Sequence, residues 1–230
     1  MKGRWGAGPL LALALAAPAA AGETRTGEVA RLAELFPKEG AAREVEAGYR
    51  RHLDWHQRVG DPWRSHGWLV TTGDRAGTFV EGTFGHSWAD LDTALRPREE
   101  AYDKAVNVLA YATAGLNVHL TRLPAHSRGP EEDTLRAPLL TVVRVRANGD
   151  GGAFWTAADG LYGSQPRQGY RTTGGPAGSF LLLLPHANWA EFGPLEEALT
   201  RLLERAGPEF GEAHVETLRR RIDLSYPLER

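Results

Sequence analysis

One segment of this chain occurs twice, and that duplication constrains the fold more than any other feature. Shifting residues 71–92 by 101 positions matches eight of the twenty-two without a gap. The matches are Thr71/Thr172, Thr72/Thr173, Gly73/Gly174, Ala76/Ala177, Gly77/Gly178, Phe79/Phe180, Trp88/Trp189 and Ala89/Ala190. Ordinary composition would give roughly one or two. Thr78/Ser179, Val80/Leu181, Asp90/Glu191 and Leu91/Phe192 are mild exchanges besides. A chain that repeats such a stretch has doubled a structural unit, so both halves are expected to share one order of elements.

Patterning supports that order. Residues 29–36 alternate as a strand, and 41–59 predict a helix, with Val45, Tyr49, Leu53 and His56 at helical spacing. Gly60, Asp61 and Pro62 end it. Residues 68–72 and 78–84 read as a hairpin. Ser87 and Asp90 form a capping-box pattern. Pro97 interrupts the helix that follows, which is expected to continue over 98–114. Residues 116–123 predict a strand with Leu116, Val118 and Leu120 on one face. After a polar linker at 125–137 the order recurs: a strand at 139–146, a helix at 154–161, and a hairpin from 169–173 and 179–184. Helices at 189–206 and 208–221 follow, and a closing strand at 222–228. Each half, 28–124 and 138–230, reads strand, helix, strand, strand, helix, strand. That is the ferredoxin-like βαββαβ unit of the α+β class. Helices on one face leave the other face of each sheet uncovered, so two units are expected to cover each other sheet to sheet.

Composition narrows the setting. Lys2 and Arg4, the apolar run 10–16 and the small residues at 19–21 read as an export signal peptide, with a mature chain from Gly22. The expected location is therefore periplasmic or secreted. The chain has no Cys, which excludes disulfides and thiolate metal sites. Beyond residue 21 there are 25 basic and 29 acidic residues, interspersed, which argues against a nucleic-acid surface. No later apolar run reaches the ~18 residues of a membrane span. The chain is expected as a monomer or homodimer that binds a small molecule.

The paired segments W-L-V-T-T-G-D-R-A-G-T-F…S-W-A-D and Y-R-T-T-G-G-P-A-G-S-F…N-W-A-E, with the elements around them, resemble the dimeric α+β barrel superfamily in tandem-duplicated form. The resemblance covers almost all of the mature chain. Proteins of this kind include antibiotic-biosynthesis-type monooxygenases, stress-response barrel proteins, NIPSNAP-like proteins and haem-binding chlorite-dismutase-like proteins. It implies a ligand pocket between helices and sheet and carries no catalytic motif over to this chain.

The most unusual stretch is Tyr49-Arg50-Arg51-His52-Leu53-Asp54-Trp55-His56. His52 and His56, four apart, share a helix face with Tyr49 and Leu53. Glu81 lies in the third strand where its counterpart is Leu182, and Gly82 beside it leaves room for a ligand or a close backbone. Trp63, Trp68 and Phe84 are candidate aromatic walls. His52, His56 and Glu81 form a candidate divalent-metal set. Alternatively one imidazole ligates haem or serves as a base, or both histidines are simply hydrogen-bonded parts of the core. The second half has no such pair, so any site is expected in the first half only. His119 faces away from Val118 and Leu120, towards the first helix. The matched Trp88 and Trp189 are expected to anchor helix starts. Two functions remain open: a small-molecule-binding barrel, oxygenase-like, or a non-catalytic structural or stress-related binding protein.

Overall fold

The computed structural model of the chain describes residues 27–93, 95–147, 149–174, 178–207 and 210–227. The expected export segment lies outside them. Eight strands run through the fold: β1 Val29–Pro37, β2 His66–Val70, β3 Phe79–His86, β4 Ala112–Arg122, β5 Leu139–Ala147, β6 Gln168–Thr173, β7 Ser179–His186 and β8 Phe210–Arg220. The helices are α1 Ala42–Val59, α2 Pro97–Lys104, α3 Glu131–Leu135, α4 Gly152–Tyr162 and α5 Phe192–Ala206. A π-helical run, Ala105–Leu109, extends α2.

The strands close into one antiparallel barrel in the order β1-β3-β2-β8-β5-β7-β6-β4. Within it each half keeps the same sequence of neighbours, β4-β1-β3-β2 and β8-β5-β7-β6. The halves join edge to edge through short ladders, β2 to β8 (Trp68↔Arg220 to Val70↔Leu218) and β4 to β6 (His119↔Thr173 to Arg122↔Tyr170). Closure leaves no open sheet edge, which is how an all-antiparallel sheet avoids pairing with other chains.

Strand alternation divides the core into three. The barrel interior holds Ala30, Leu32, Trp68, Val80, Val118, Leu120, Val142 and Leu183. The outer face of the second sheet packs under α4 and α5 through Phe154, Trp155, Leu182, Leu184 and Leu202. The outer face of the first sheet packs under α1 through Leu35, Val45, Tyr49, Leu53 and Phe79. Each barrel end is stoppered. At one, Glu34 and Glu216 are buried among Arg75 and Arg144, with Arg75 and Arg144 each 2.6 Å from Glu34. At the other, α3 inserts Leu135 into the interior and Tyr170 donates to Glu131 at 2.6 Å.

Several expectations need correction. The 125–137 segment is not a plain linker, because α3 lies within it. The helix expected to 114 gives way at Ala112, where the chain pairs with Pro37 of β1. The helix expected over 208–221, of which 208 and 209 lie outside the described residues, is replaced by a strand: Phe210–Arg220 is β8, the true closing strand. The closing strand expected at 222–228 is, over its described residues to 227, a 3-10 turn at Ile222–Leu224 followed by one bridge, Ser65↔Tyr226. Leu224 and Tyr226 pack beneath α1 instead of joining the sheet, while Ile222 is exposed. The gapless match set Gly85 against His186, yet Val29↔His86 and Leu139↔His186 are equivalent rungs. β3 absorbs its extra residue in a bulge between the Val29 and Arg31 rungs, with Gly85 at φ 72°. Trp88 and Trp189 both start 3-10 turns but stand half-exposed, 49% and 43%.

Candidate functional site

α1 is seven residues longer than α4 (18 against 11), and the site sits near its C-terminal end. Gly60 closes the helix in the left-handed conformation, φ 68°. Gly48, midway, has no side chain because a Cβ there would lie 1.8 Å from the Asn107 carbonyl oxygen. That contact brings the π-run and α2 directly against α1. Four polar residues on α2 and its extension recur at helical spacing, Glu100, Asp103, Lys104 and Asn107, and three of them bond across to α1 or the sheet.

His52 is fully buried, and its Nδ1 lies 2.8 Å from Asp103 Oδ2. His56 Nδ1 lies 2.6 Å from Asp61 Oδ2, and the two Nε2 atoms are 3.2 Å apart. Asn107 donates to Asp103 at 3.1 Å and accepts from Arg51 at 2.8 Å. Asp61 accepts from the Trp63 amide at 2.9 Å, while Tyr226 donates to its carbonyl oxygen at 3.0 Å. One ligand atom each of His52, His56 and Glu100 lie within 4.8 Å of one another.

Glu81 pairs with Lys104 at 2.8 Å. Burial works to raise its pKa, but the Lys104 ammonium, with His52 and Arg31 behind it, holds it down at about 2. Glu81 is therefore a carboxylate already matched by a cation. Burial lowers the His52 pKa, against the pull of Glu81 and Asp103. Burial, reinforced by the Glu81 charge, raises that of Tyr49.

Beside these groups lies a cleft of about 500 Å³. Its floor is the outward face of the first sheet: Arg31, Glu81, Thr83, Asn117 and His119. His56, Glu100, Leu91 and Leu95 face it from the helical side, and Asp61, Trp63 and Tyr226 close one end. Of the residues singled out from sequence, His56, Glu81, Trp63 and His119 line this cleft. His52 stands behind His56, and Tyr49 is buried against Phe79, ring centroids 4.5 Å apart. Trp68 and Phe84 do not reach the cleft. Strand alternation turns them into the barrel, and Gly82 makes room there for the Phe84 ring, 2.5 Å from where its Cβ would lie. Glu100, Asp103, Asp61 and Lys104 were missed. The signal was present, since a helix face that carries charges at i, i+3 and i+4 and an amide at i+7 opposes a histidine pair.

No family model and no curated protein matches the chain. Solved structures do. A candidate monooxygenase from Fusobacterium nucleatum has a TM-score of 0.60 at 6% identity, over 84% of this chain and 91% of its own. An anthrone oxidase-like protein has a TM-score of 0.57 at 12% identity, over 86% and 94%. Chlorite dismutase from Candidatus Nitrospira defluvii, in complex with imidazole, has a TM-score of 0.53 at 13% identity, over 85% and 92%. At these identities the likeness is one of fold. The chain has the α+β barrel architecture of the chlorite dismutase-like and monooxygenase-like proteins, with both ferredoxin-like units on one polypeptide. Among the described residues no helix is long and apolar enough to cross a membrane.

Proposed function

We propose that this protein is an exported, oxygenase-like barrel that binds a small organic molecule in the first-repeat cleft. The observation that carries the reading is the cleft itself. Its volume falls within the ~300–1,000 Å³ of small-molecule sites, and it combines aromatic and apolar walls with convergent polar groups. Arg31, Asn117 and His119 offer hydrogen bonds from the floor, and Trp63 offers a flat apolar contact. The names of the similar folds support an oxygenase-like activity, and residues 1–21 support export.

Haem would need an imidazole Nε2 standing free over an apolar slot. Here both Nε2 atoms of the pair are turned on each other, and the cleft carries three carboxylates, Asp61, Glu81 and Glu100. These residues suit a small cation better than haem iron.

The test is a thermal-shift screen of small organic compounds, followed by calorimetry of the hits. Arg31→Met and His119→Phe should each weaken a hit by roughly tenfold or more, as the loss of a polar contact does. Equal affinity in both variants would place the ligand elsewhere. A Soret band in protein expressed with haem supply would move the reading to haem.

A further inference from the structure

We infer that His52, His56 and Glu100 bind one divalent transition-metal ion, with its remaining coordination positions open to the cleft. The inference rests on the cleft reading only for what those open positions face.

The argument begins with protons. An ionised carboxylate only accepts hydrogen bonds. Asp103 and Asp61 therefore place a hydrogen on Nδ1 of His52 and of His56. A neutral imidazole with its hydrogen on Nδ1 has a bare lone pair on Nε2. The two Nε2 atoms face each other at 3.2 Å. Two lone pairs at that distance, one on a fully buried ring, repel unless something positive lies between or beside them.

A shared proton is one solution, but it places a charge on a fully buried ring pressed against a second imidazole. A metal ion is the other, and the distances suit it. Two nitrogens each about 2.1 Å from one ion stand roughly 3.0–3.4 Å apart at octahedral and tetrahedral angles. Glu100 supplies the oxygen. One of its carboxylate oxygens lies within 4.8 Å of a ring nitrogen of each histidine, and its unbranched, half-buried side chain is free to turn towards them. The outer shell is already built: each imidazole is oriented by a carboxylate, and each carboxylate is itself held, Asp103 by Asn107 and Asp61 by the Trp63 amide. Two neutral imidazoles beside the carboxylates of Glu100, Asp103 and Asp61 leave the locality negative, which a divalent cation offsets. Glu81, the acid expected from sequence, is not a ligand, because Lys104 already holds it. Two nitrogens and one oxygen, with positions left open, form a set used by zinc, iron(II) and related ions.

The test uses the full, tag-free chain, stripped with chelator and titrated with Zn²⁺ by calorimetry and with Co²⁺ by visible absorption. One ion per chain is expected, with Co²⁺ bands of low-symmetry coordination. His52→Gln with His56→Gln should lower Zn²⁺ affinity at least about 100-fold, Glu100→Gln roughly 10–100-fold and Asp61→Asn about tenfold, in line with outer-shell losses. Glu81→Gln should change it less than about threefold. One-to-one binding that survives the histidine double variant, or a Glu81→Gln loss larger than that of Glu100→Gln, would overturn the assignment. Absence of Zn²⁺ or Co²⁺ binding by the stripped chain would do the same. If the double variant does not fold, the half-buried Glu100 and Glu81 variants carry the test. Arg31→Met separates the two readings, since it should weaken cleft-ligand binding by roughly tenfold or more and leave Zn²⁺ stoichiometry at one.

Discussion

The outer faces of the two sheets descend from one pattern and have become opposites. Equivalent rungs place Arg31 against Thr141, Glu81 against Leu182, Thr83 against Leu184, Asn117 against Val215 and His119 against Thr217. In the second repeat this face is largely aliphatic, and α4 and α5 close on it through Phe154, Trp155, Leu199 and Leu202. In the first repeat it is polar. α1 runs on past the point where α4 stops, and α2 turns charges inward, so a cleft remains. A duplicated fold can keep one copy as dry scaffold while the other holds polar groups apart. Burying unpaired polar groups costs stability, and the packed copy supplies the core that offsets it.

The comparison can be broken most severely at Trp155. Trp155→Ala should cost about 3–5 kcal/mol, as large-to-small changes in a packed core do, read from urea unfolding. Trp63→Ala, at the same scale of side chain, should cost much less while weakening cleft-ligand binding. Equal losses at the two positions would mean that both interfaces are packed alike.

Lys104→Met comes next. It strands the Glu81 carboxylate and should cost about 3 kcal/mol, the loss seen when one partner of a buried pair is removed. Converting both, Lys104→Met with Glu81→Leu, gives the first repeat the apolar residue of the second at that rung. It should recover most of the loss in urea unfolding and still abolish cleft-ligand binding.

The pH dependence is a smaller, sharper test. The folded Glu81 pKa lies at about 2, below its ordinary 4.5. A depressed carboxyl pKa stabilises the fold above the unfolded value, and that contribution is lost as pH falls from about 4.5 towards 2. Unfolding free energy should therefore drop through this window more steeply in the wild type than in the Lys104→Met, Glu81→Leu double variant. Equal slopes would show that the pair is not coupled to folding. The smallest effect is expected for Trp63→Ala on stability alone, under about 1 kcal/mol, as for partly exposed positions.

Much of the fold was legible because repetition and alternation are local. The exchange of Glu81 for Leu182 marked the divergent face, and the i, i+4 histidines marked the helix that covers it. β8 was not legible. Phe210-Gly-Glu-Ala-His-Val-Glu-Thr-Leu-Arg-Arg220 carries charges on both faces and its clearest apolar residues, Val215 and Leu218, at helical spacing. Glu216 points into the barrel only because Arg75 and Arg144 wait there. The segment after it, with Ile222, Leu224 and Tyr226 in alternation, imitated the strand that β8 forms. The partner of Glu81 was hidden for a similar reason: the carboxylate looked available until Lys104, 23 positions away, was brought against it.

Composition and pattern by themselves determined that the chain is a doubled βαββαβ unit whose copies must shield each other, since the periodicity of apolar residues and the internal repeat are written along the backbone. Which strands join the two copies, which charges stopper the barrel, and which carboxylates meet which imidazoles were decided only in three dimensions. Those choices depend on electrostatic pairing and close approach between segments far apart in sequence, and no local pattern encodes the partner.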